Sequence, residues 1–418
     1  METYLIIILI AYLLVAVSGY WLEYLNLSFL KKNGALIPSE FEGQIDLGML
    51  CEARDYTVEK TKFGYITSIF SDIIILIFIF GGLLDAYNSW IVSLDMSFML
   101  SGLVFFMFIV YIGTFMNVPF EIYSCFKIEK KYGFNTMSMK LWITDFIKSI
   151  LLSTVMIAVV ITIGLWIIQI NPHSWWLWVW CFFFVFGLFV MYISPYVIEP
   201  LFNKYISIND KSLEESIHAL MKNIGIKVSK VFKIDASRRT KHTNAYFTGI
   251  GKVKRIVLYD TLFEKMDRNE ILSVLAHEAG HWKKKHIVKM IIITESIALI
   301  VIYLSYMILQ TDFLSQLFHI DEETFFAKII IIAFLGSIIS FPFTPLFNYF
   351  SRRYEKEADR FSFELTGNTE NMINALVKLS KDNLSNLHPH PLYAAFHYSH
   401  PPVLERIKRI REMVPSSQ

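Results

Sequence analysis

The stretch Val274-Leu275-Ala276-His277-Glu278-Ala279-Gly280-His281-Trp282 decides how the rest of the chain is read. It fits the HExxH pattern, and helix geometry gives that pattern its meaning. Residues four apart share a helix face, so His277 and His281 can present imidazole nitrogens to one Zn²⁺. Glu278 is rotated about a quarter-turn from that face, where it can take a proton from a water activated by the metal. His286 falls about half a turn off the face of His277 and is read as a non-ligand. Upstream, Asp267-Arg268-Asn269-Glu270 has the spacing of a capping box that opens the helix. The helix is expected to run through Lys283-Lys284-Lys285 straight into the apolar run beyond.

Composition supplies the setting. Mean hydropathy is +0.45, hydrophobic residues make up 54% and charged residues 18%, which is too apolar for a soluble chain of 418 residues. A net charge of +2, with bases scattered among acids, excludes a nucleic-acid footprint. Cys51, Cys125 and Cys181 are far apart and form no CxxC, so neither a disulfide framework nor a cysteine zinc site is expected.

Seven stretches are long and apolar enough to cross a hydrocarbon core of about 30 Å: 4–24, 64–86, 97–119, 147–170, 174–198, 287–309 and 327–348. The first lacks the basic flank of a cleaved signal peptide and reads as a retained anchor. The tryptophans of Trp175-Trp176-Leu177-Trp178-Val179-Trp180 suit an interfacial belt. The first loop (Lys31, Lys32, Arg54, Lys60, Lys62), the third (Lys127, Lys130, Lys131, Lys140) and the long fifth are basic. The second, from Asp85 to Asp95, and the fourth, from Asn171 to Ser174, carry no Lys or Arg, and the sixth is mainly acidic. Odd loops and the C-terminal tail are therefore expected on the cytosolic side, with Met1 opposite.

Four segments follow: membrane helices with their loops (1–198), a soluble segment holding the HExxH helix (199–286), two further membrane helices (287–348) and a C-terminal segment (349–418). The soluble segment has β-type runs at 228–234, 244–248 and 255–259, with Gly249 and Gly251 suggesting a hairpin turn between the last two. Asp145 and Lys148 read as interfacial. Glu295, well inside the sixth span, should face protein or water rather than lipid. His388, His390 and His397 read as loop or surface histidines.

Catalytic zinc needs a third protein ligand. Glu355 is the best candidate, and Asp359, one turn on, is placed to hydrogen-bond a ligating histidine. On residue types alone, an exposed helix with ordinary Arg–Glu pairs remains an equal alternative. At this point three motifs, HEAGHW (277–282), SRRYEKEAD (351–359) and YSHPPVLERI (398–407), together resemble the type 1 CAAX prenyl endopeptidases. Further matches are EKKYGFN (129–135), EPLFNK (199–204), NAYF (244–247) and KRIVLYD (254–260). The resemblance spans nearly the whole chain in order. It implies a mainly α, polytopic membrane protein whose seven helices enclose a water-filled chamber, with a gluzincin-like α+β zinc-protease portion on the cytosolic side. It also implies one zinc per chain on His277, His281 and Glu355, Glu278 as base, and His400 and Arg406 lining the site.

Physical chemistry gives these residues work to do. Asn244-Ala245-Tyr246 would form an edge strand that pairs with an extended peptide, with Asn244 adding a side-chain hydrogen bond. His400, fixed by Pro401-Pro402, could donate to a developing oxyanion, and Arg406 could hold that geometry or a carboxylate. The expected partners are a peptide or protein substrate, prenylated if the resemblance extends so far, and the lipid bilayer. The oligomeric state is open and compatible with a monomer. The membrane would be the endoplasmic reticulum in a eukaryote or the inner membrane in a bacterium. Rival readings are a seven-helix transporter or receptor with an accidental HExxH, and a broader membrane quality-control protease. A site-2-type protease lacks its late-span LDG motif here, and the small four-span heat-shock proteases have too few spans.

Overall fold

Hydrocarbon offers no water to a backbone polar group, so an apolar run that crosses it must satisfy itself as a helix. The computed structural model describes residues 1–248 and 253–413, and among these residues seven helices are long and apolar enough to span. Five come first: α1 (Glu2–Asn33), α2 (Leu47–Phe80), α3 (Phe98–Tyr123), α4 (Met139–Ile170) and α5 (Trp175–Ile193). π-helical turns prolong α3 to Glu129 and α5 to Ile198.

The expected second span, 64–86, is displaced. Helix α2 begins at Leu47 and stops at Gly81-Gly82, where Gly82 takes a left-handed φ of 78°. A separate short helix, Leu83–Ser93, then lies across the end.

The soluble segment starts with β1 (Tyr205–Ser207) and α6 (Lys211–Asn223), followed by β2 (Lys227–Ile234), β3 (Ala245–Thr248) and β4 (Val253–Tyr259). The sheet order is β1-β2-β4-β3, with β2 and β4 parallel and the outer pairs antiparallel. The three longer strands fall where alternation placed them; the three-residue β1 is too short to show a period. The expected Gly249–Gly251 turn lies outside the described residues.

Helix α7 (Arg268–Lys283) packs Ile271, Leu275 and Ala279 on the sheet beside Ile217 and Met221 of α6. Its predicted capping box is present: Asp267 accepts from the Glu270 amide, and Glu270 accepts from the Asp267 amide at 2.8 Å.

The expected continuous helix from α7 into the sixth span is not observed. Lys285 takes a left-handed φ of 58°, so α7 ends and α8 (His286–Leu309) starts in a new direction. A non-glycine residue in this region is uncommon, and surrounding contacts must hold it there. The seventh span also bends. Helix α9 (Phe325–Ser340) passes through a 3₁₀ turn containing Pro342 into α10 (Thr344–Thr366). The C-terminal segment contributes α11 (Glu370–Asp382) and α12 (Val403–Arg411).

Loops of like parity gather at the same end. The second and sixth loops meet where Asn88 donates to the Glu322 carbonyl (2.7 Å) and Asp85 accepts from the Asp321 amide (2.9 Å). Trp175, after the fourth loop, packs edge-on against Tyr306 and Phe325 at that end. At the other end Phe41 and Leu50 share a core with Met372, Ile373 and Ile407. Phe134 of the third loop stacks on His242, with centroids 4.3 Å apart. Odd loops, soluble segment and C-terminal segment thus form one body.

Helices α7 and α10 approach so closely that a Cβ on Gly280 would lie 3.1 Å from the Ala358 Cα and 3.2 Å from Phe361. A branched side chain there must push the helices apart. Gly280→Val should lower stability by about 1–3 kcal/mol, the range for overpacking. The readout is the melting temperature of the detergent-solubilised protein; an unchanged value would show that the helices have room to separate.

Candidate metal centre

The site forms where α7 and α10 cross. One turn of α7 sets His277 and His281 on one face, with the ring centroids 5.0 Å apart. Opposite them α10 presents Glu355: Oε2 lies 3.3 Å from His277 Nε2, and Oε1 lies 3.2 Å from His281 Nε2. One ligand atom from each of His277, His281 and Glu355 lies within 4.8 Å of the others. Glu355 is buried, and its Oε2 accepts no hydrogen bond among the described residues. Burial acts against a charged His277 imidazole, yet Asp359 and Glu355 overcome it and raise its pKa to about 9. Carboxylate charge around these imidazoles favours a cation as it favours a proton, and two imidazoles with one carboxylate are a donor set that suits zinc. The residues fit a metal ion.

The far nitrogens are held as well. Asp359 Oδ1 lies 2.9 Å from His277 Nδ1. Arg406 of α12 forks onto the same carboxylate, Nε to Oδ2 at 3.0 Å and the second guanidinium nitrogen to Oδ1 at 2.6 Å. Burial weighs against the Arg406 charge, but Asp359 outweighs it and holds the guanidinium firmly protonated. Glu278 is half-buried beside the cluster, and burial pushes its carboxyl above the usual carboxylate range. His400 reaches in from the C-terminal segment, its Nε2 3.3 Å from Glu355 Oε1 and its Nδ1 3.0 Å from Ser399 Oγ.

Of the residues expected at the site, His277, Glu278, His281, Glu355, Asp359, His400 and Arg406 are brought together. Asn244, Ala245 and Tyr246 lie at and beside β3, the edge of the sheet. The Tyr246 hydroxyl donates to Glu199 (2.5 Å), tying the edge strand to the end of α5. The Asn244 side chain accepts from the Ala245 amide at 2.8 Å. Asp145 takes a two-pronged contact from Arg239 at 2.8 and 3.1 Å, and Lys148 donates to the Leu201 carbonyl. His388 meets the Leu36 carbonyl and His390 caps the short helix Pro391–His397, which are structural roles. Glu295 is half-buried, and its carbonyl accepts from the Trp180 indole at 3.1 Å.

Two residues support the site in ways that the sequence reading does not assign. Arg352 donates one nitrogen to the carbonyls of Ala394, Ala395 and Tyr398, which pins the segment leading to His400. The other is His286. The break at Lys285 removes the helical phase on which its separation from His277 was judged, and its ring touches His281. The density of basic and imidazole groups around the ExxAD and HExxH motifs was the available signal for both.

Comparison with known proteins agrees with this geometry. Residues 26–204 match the family model for the CAAX prenyl protease N-terminal region with five membrane helices, and residues 207–414 match peptidase family M48. CAAX prenyl protease 1 of Saccharomyces cerevisiae is 34% identical over 89% of this chain and 87% of its own length. The Homo sapiens homologue is 30% identical over 94% of each. The crystal structure of S. mikatae Ste24p superposes with a TM-score of 0.90 at 31% identity, over 97% of this chain and 99% of that one. The chain therefore belongs to the CAAX prenyl protease branch of peptidase family M48 and is a multi-pass membrane metalloprotease.

Proposed function

We propose that this membrane endopeptidase uses one zinc ion, held by His277, His281 and Glu355, to cleave peptide bonds near the C-terminus of prenylated CaaX-type proteins. The convergence of those three ligand atoms within 4.8 Å carries the reading. Zinc, when bound, supplies a Lewis acid that polarises the scissile carbonyl and makes water more acidic. Glu278 accepts the proton of the attacking water and returns it to the leaving amine. No serine or cysteine nucleophile is needed, so no acyl-enzyme forms.

The remaining residues orient and stabilise. His400 Nδ1 sits within hydrogen-bond reach of the Ser399 hydroxyl, and we assign the proton to Nε2, the tautomer that can donate to an oxyanion. Arg406 acts through Asp359, holding it against His277. Among the described residues no further strand pairs with the outer side of β3, and an extended substrate adds there as a further strand beside Asn244, Ala245 and Tyr246. In this division of labour segments 1–198 and 287–348 form the membrane shell. Segment 199–286 holds the HExxH helix and the sheet, and segment 349–418 completes the site. The substrate class follows the relatives, which are CAAX prenyl protease 1 proteins.

Two substitutions separate base from ligand. Glu278→Gln should keep zinc and fold while losing hydrolysis by about 10²–10⁴-fold, the scale of general acid–base catalysis. Glu355→Ala should lose zinc and activity together. A zinc-replete Glu278→Gln enzyme cleaving at the wild-type rate, or a fully zinc-loaded Glu355→Ala protein, would refute the assignment.

Lys/Arg asymmetry puts the metal site on the cytosolic side. In a background lacking Cys51, Cys125 and Cys181, Gln316→Cys should react with an impermeant maleimide from the non-cytosolic face only. Lys408→Cys should react from the cytosolic face only, and the opposite labelling would invert the topology.

Substrate class is tested with a prenylated CaaX reporter peptide beside its unprenylated twin. The prenylated peptide should be cleaved with the higher kcat/KM. Equal rates would indicate a broader membrane protease.

A further inference from the structure

The two proposed histidine ligands are held from behind in different ways. His277 Nδ1 meets the Asp359 carboxylate directly. Among the described residues His281 Nδ1 meets no carboxylate; it lies 3.1 Å from His286 Nδ1. The opposite nitrogen of that ring, His286 Nε2, lies 3.1 Å from Glu357 Oε2. His286 is only 3% exposed, and its ring stacks on Tyr354 with centroids 4.4 Å apart and planes 14° from parallel. Its position depends on the left-handed backbone at Lys285, which turns the first residue of α8 back towards α7.

Chemistry fixes the direction of each bond in this chain. His281 points Nε2 at Glu355 and His277, so a metal there takes the Nε2 lone pair and leaves the proton on Nδ1. That proton must be donated, and the neighbouring nitrogen of His286 must then accept it. A neutral imidazole accepts at one nitrogen and donates at the other, so His286 Nε2 carries a proton and Glu357 receives it. Every donor has one acceptor. We propose that Glu357 and His286 form a positioning relay that fixes the tautomer and ring orientation of His281, as Asp359 does directly for His277. This rests on the ligand set proposed above. Glu355, Glu357 and Asp359 then work as a set on α10: one carboxylate faces the metal, and the other two anchor the two histidines.

The test uses the purified full-length protein and zinc affinity measured by competition with a chelator. His286→Phe keeps a ring against Tyr354 but removes both nitrogens; it should weaken zinc binding by about 10–100-fold, the usual cost of losing an outer partner of a ligating histidine. His286→Gln, whose amide accepts and donates at similar spacing, should recover most of the loss. The melting temperature of the zinc-free protein should be the same for His286→Phe and wild type. Glu357→Ala should show a smaller loss, and adding it to His286→Phe should cost nothing more. Because the Glu357 side chain is 34% exposed, this variant carries the test if His286→Phe proves unstable. Wild-type zinc affinity in His286→Phe, no rescue by glutamine, or additive losses in the double variant would each overturn the relay. If His281→Ala keeps its zinc, the ligand reading itself fails. If His281→Ala loses zinc while His286→Phe holds it normally, only the relay fails.

Discussion

The buried contact among Asp359, Arg406 and His277 is the constraint around which the site is arranged. The Asp359 and Arg406 side chains are 1% and 10% exposed, so both have given up most of their hydration. An isolated charge at such depth costs several kcal/mol; a two-pronged guanidinium–carboxylate pair with an imidazole beside it offsets much of that cost. The contact therefore cannot be loosened from one side without leaving the other charge stranded, at a cost of about 3–5 kcal/mol. Its members come from α7, α10 and α12. One electrostatic requirement thus docks the C-terminal helix, positions α10 against α7, and fixes the ring orientation of His277.

The same requirement explains the path of the chain. Between α7 and α10 the polypeptide leaves for the opposite end of the molecule through α8 and returns through α9. A rigid pair of straight helices would carry Glu355 wherever the membrane spans happened to point. Two breaks uncouple the site from the spans: the left-handed Lys285 and the 3₁₀ turn at Phe341–Phe343. Gly280 then lets the backbones of α7 and α10 come close enough for short side chains to converge, and Ser362 donates to the Ser273 carbonyl at 2.8 Å across the same seam.

What could be read in the sequence follows from the range of the interactions involved. Most spans, the capping box, the HExxH face and the longer strands are local patterns, and they appear where the sequence puts them; the second span, cut short at Gly81-Gly82, is the exception. Glu355 was ambiguous by pattern because an Arg/Glu-rich helix after a span looks the same whether exposed or buried; motif resemblance, not spacing, singled it out. The break at Lys285 left no mark in composition, since a Lys-Lys-Lys run suits a helix C-terminus and a membrane edge alike. A continuous helix points His286 away from His281, whereas the broken one brings it against that ring, still outside the group of possible ligands. Arg352 was hidden for a different reason: its three acceptors are backbone carbonyls, which every residue has.

His400 and Glu355 show how the two parts of the proposed mechanism can share one site. Glu355 is 5% exposed in its side chain and His400 is 63% exposed, yet their nearest atoms are 3.3 Å apart. A ligand gains from burial, because a low-dielectric surround strengthens its hold on a cation. An oxyanion donor has to stay accessible, because its partner exists only while substrate is present. Placing the donor on a short loop makes this compatible with precision, provided the loop cannot drift. Pro401 and Pro402 restrict it from one side, and Arg352 gathers the carbonyls of Ala394, Ala395 and Tyr398 on the other. The imidazole is therefore open to an incoming peptide while its backbone is held, which is the preorganisation that lets a hydrogen bond act on a transition state without the cost of ordering the donor.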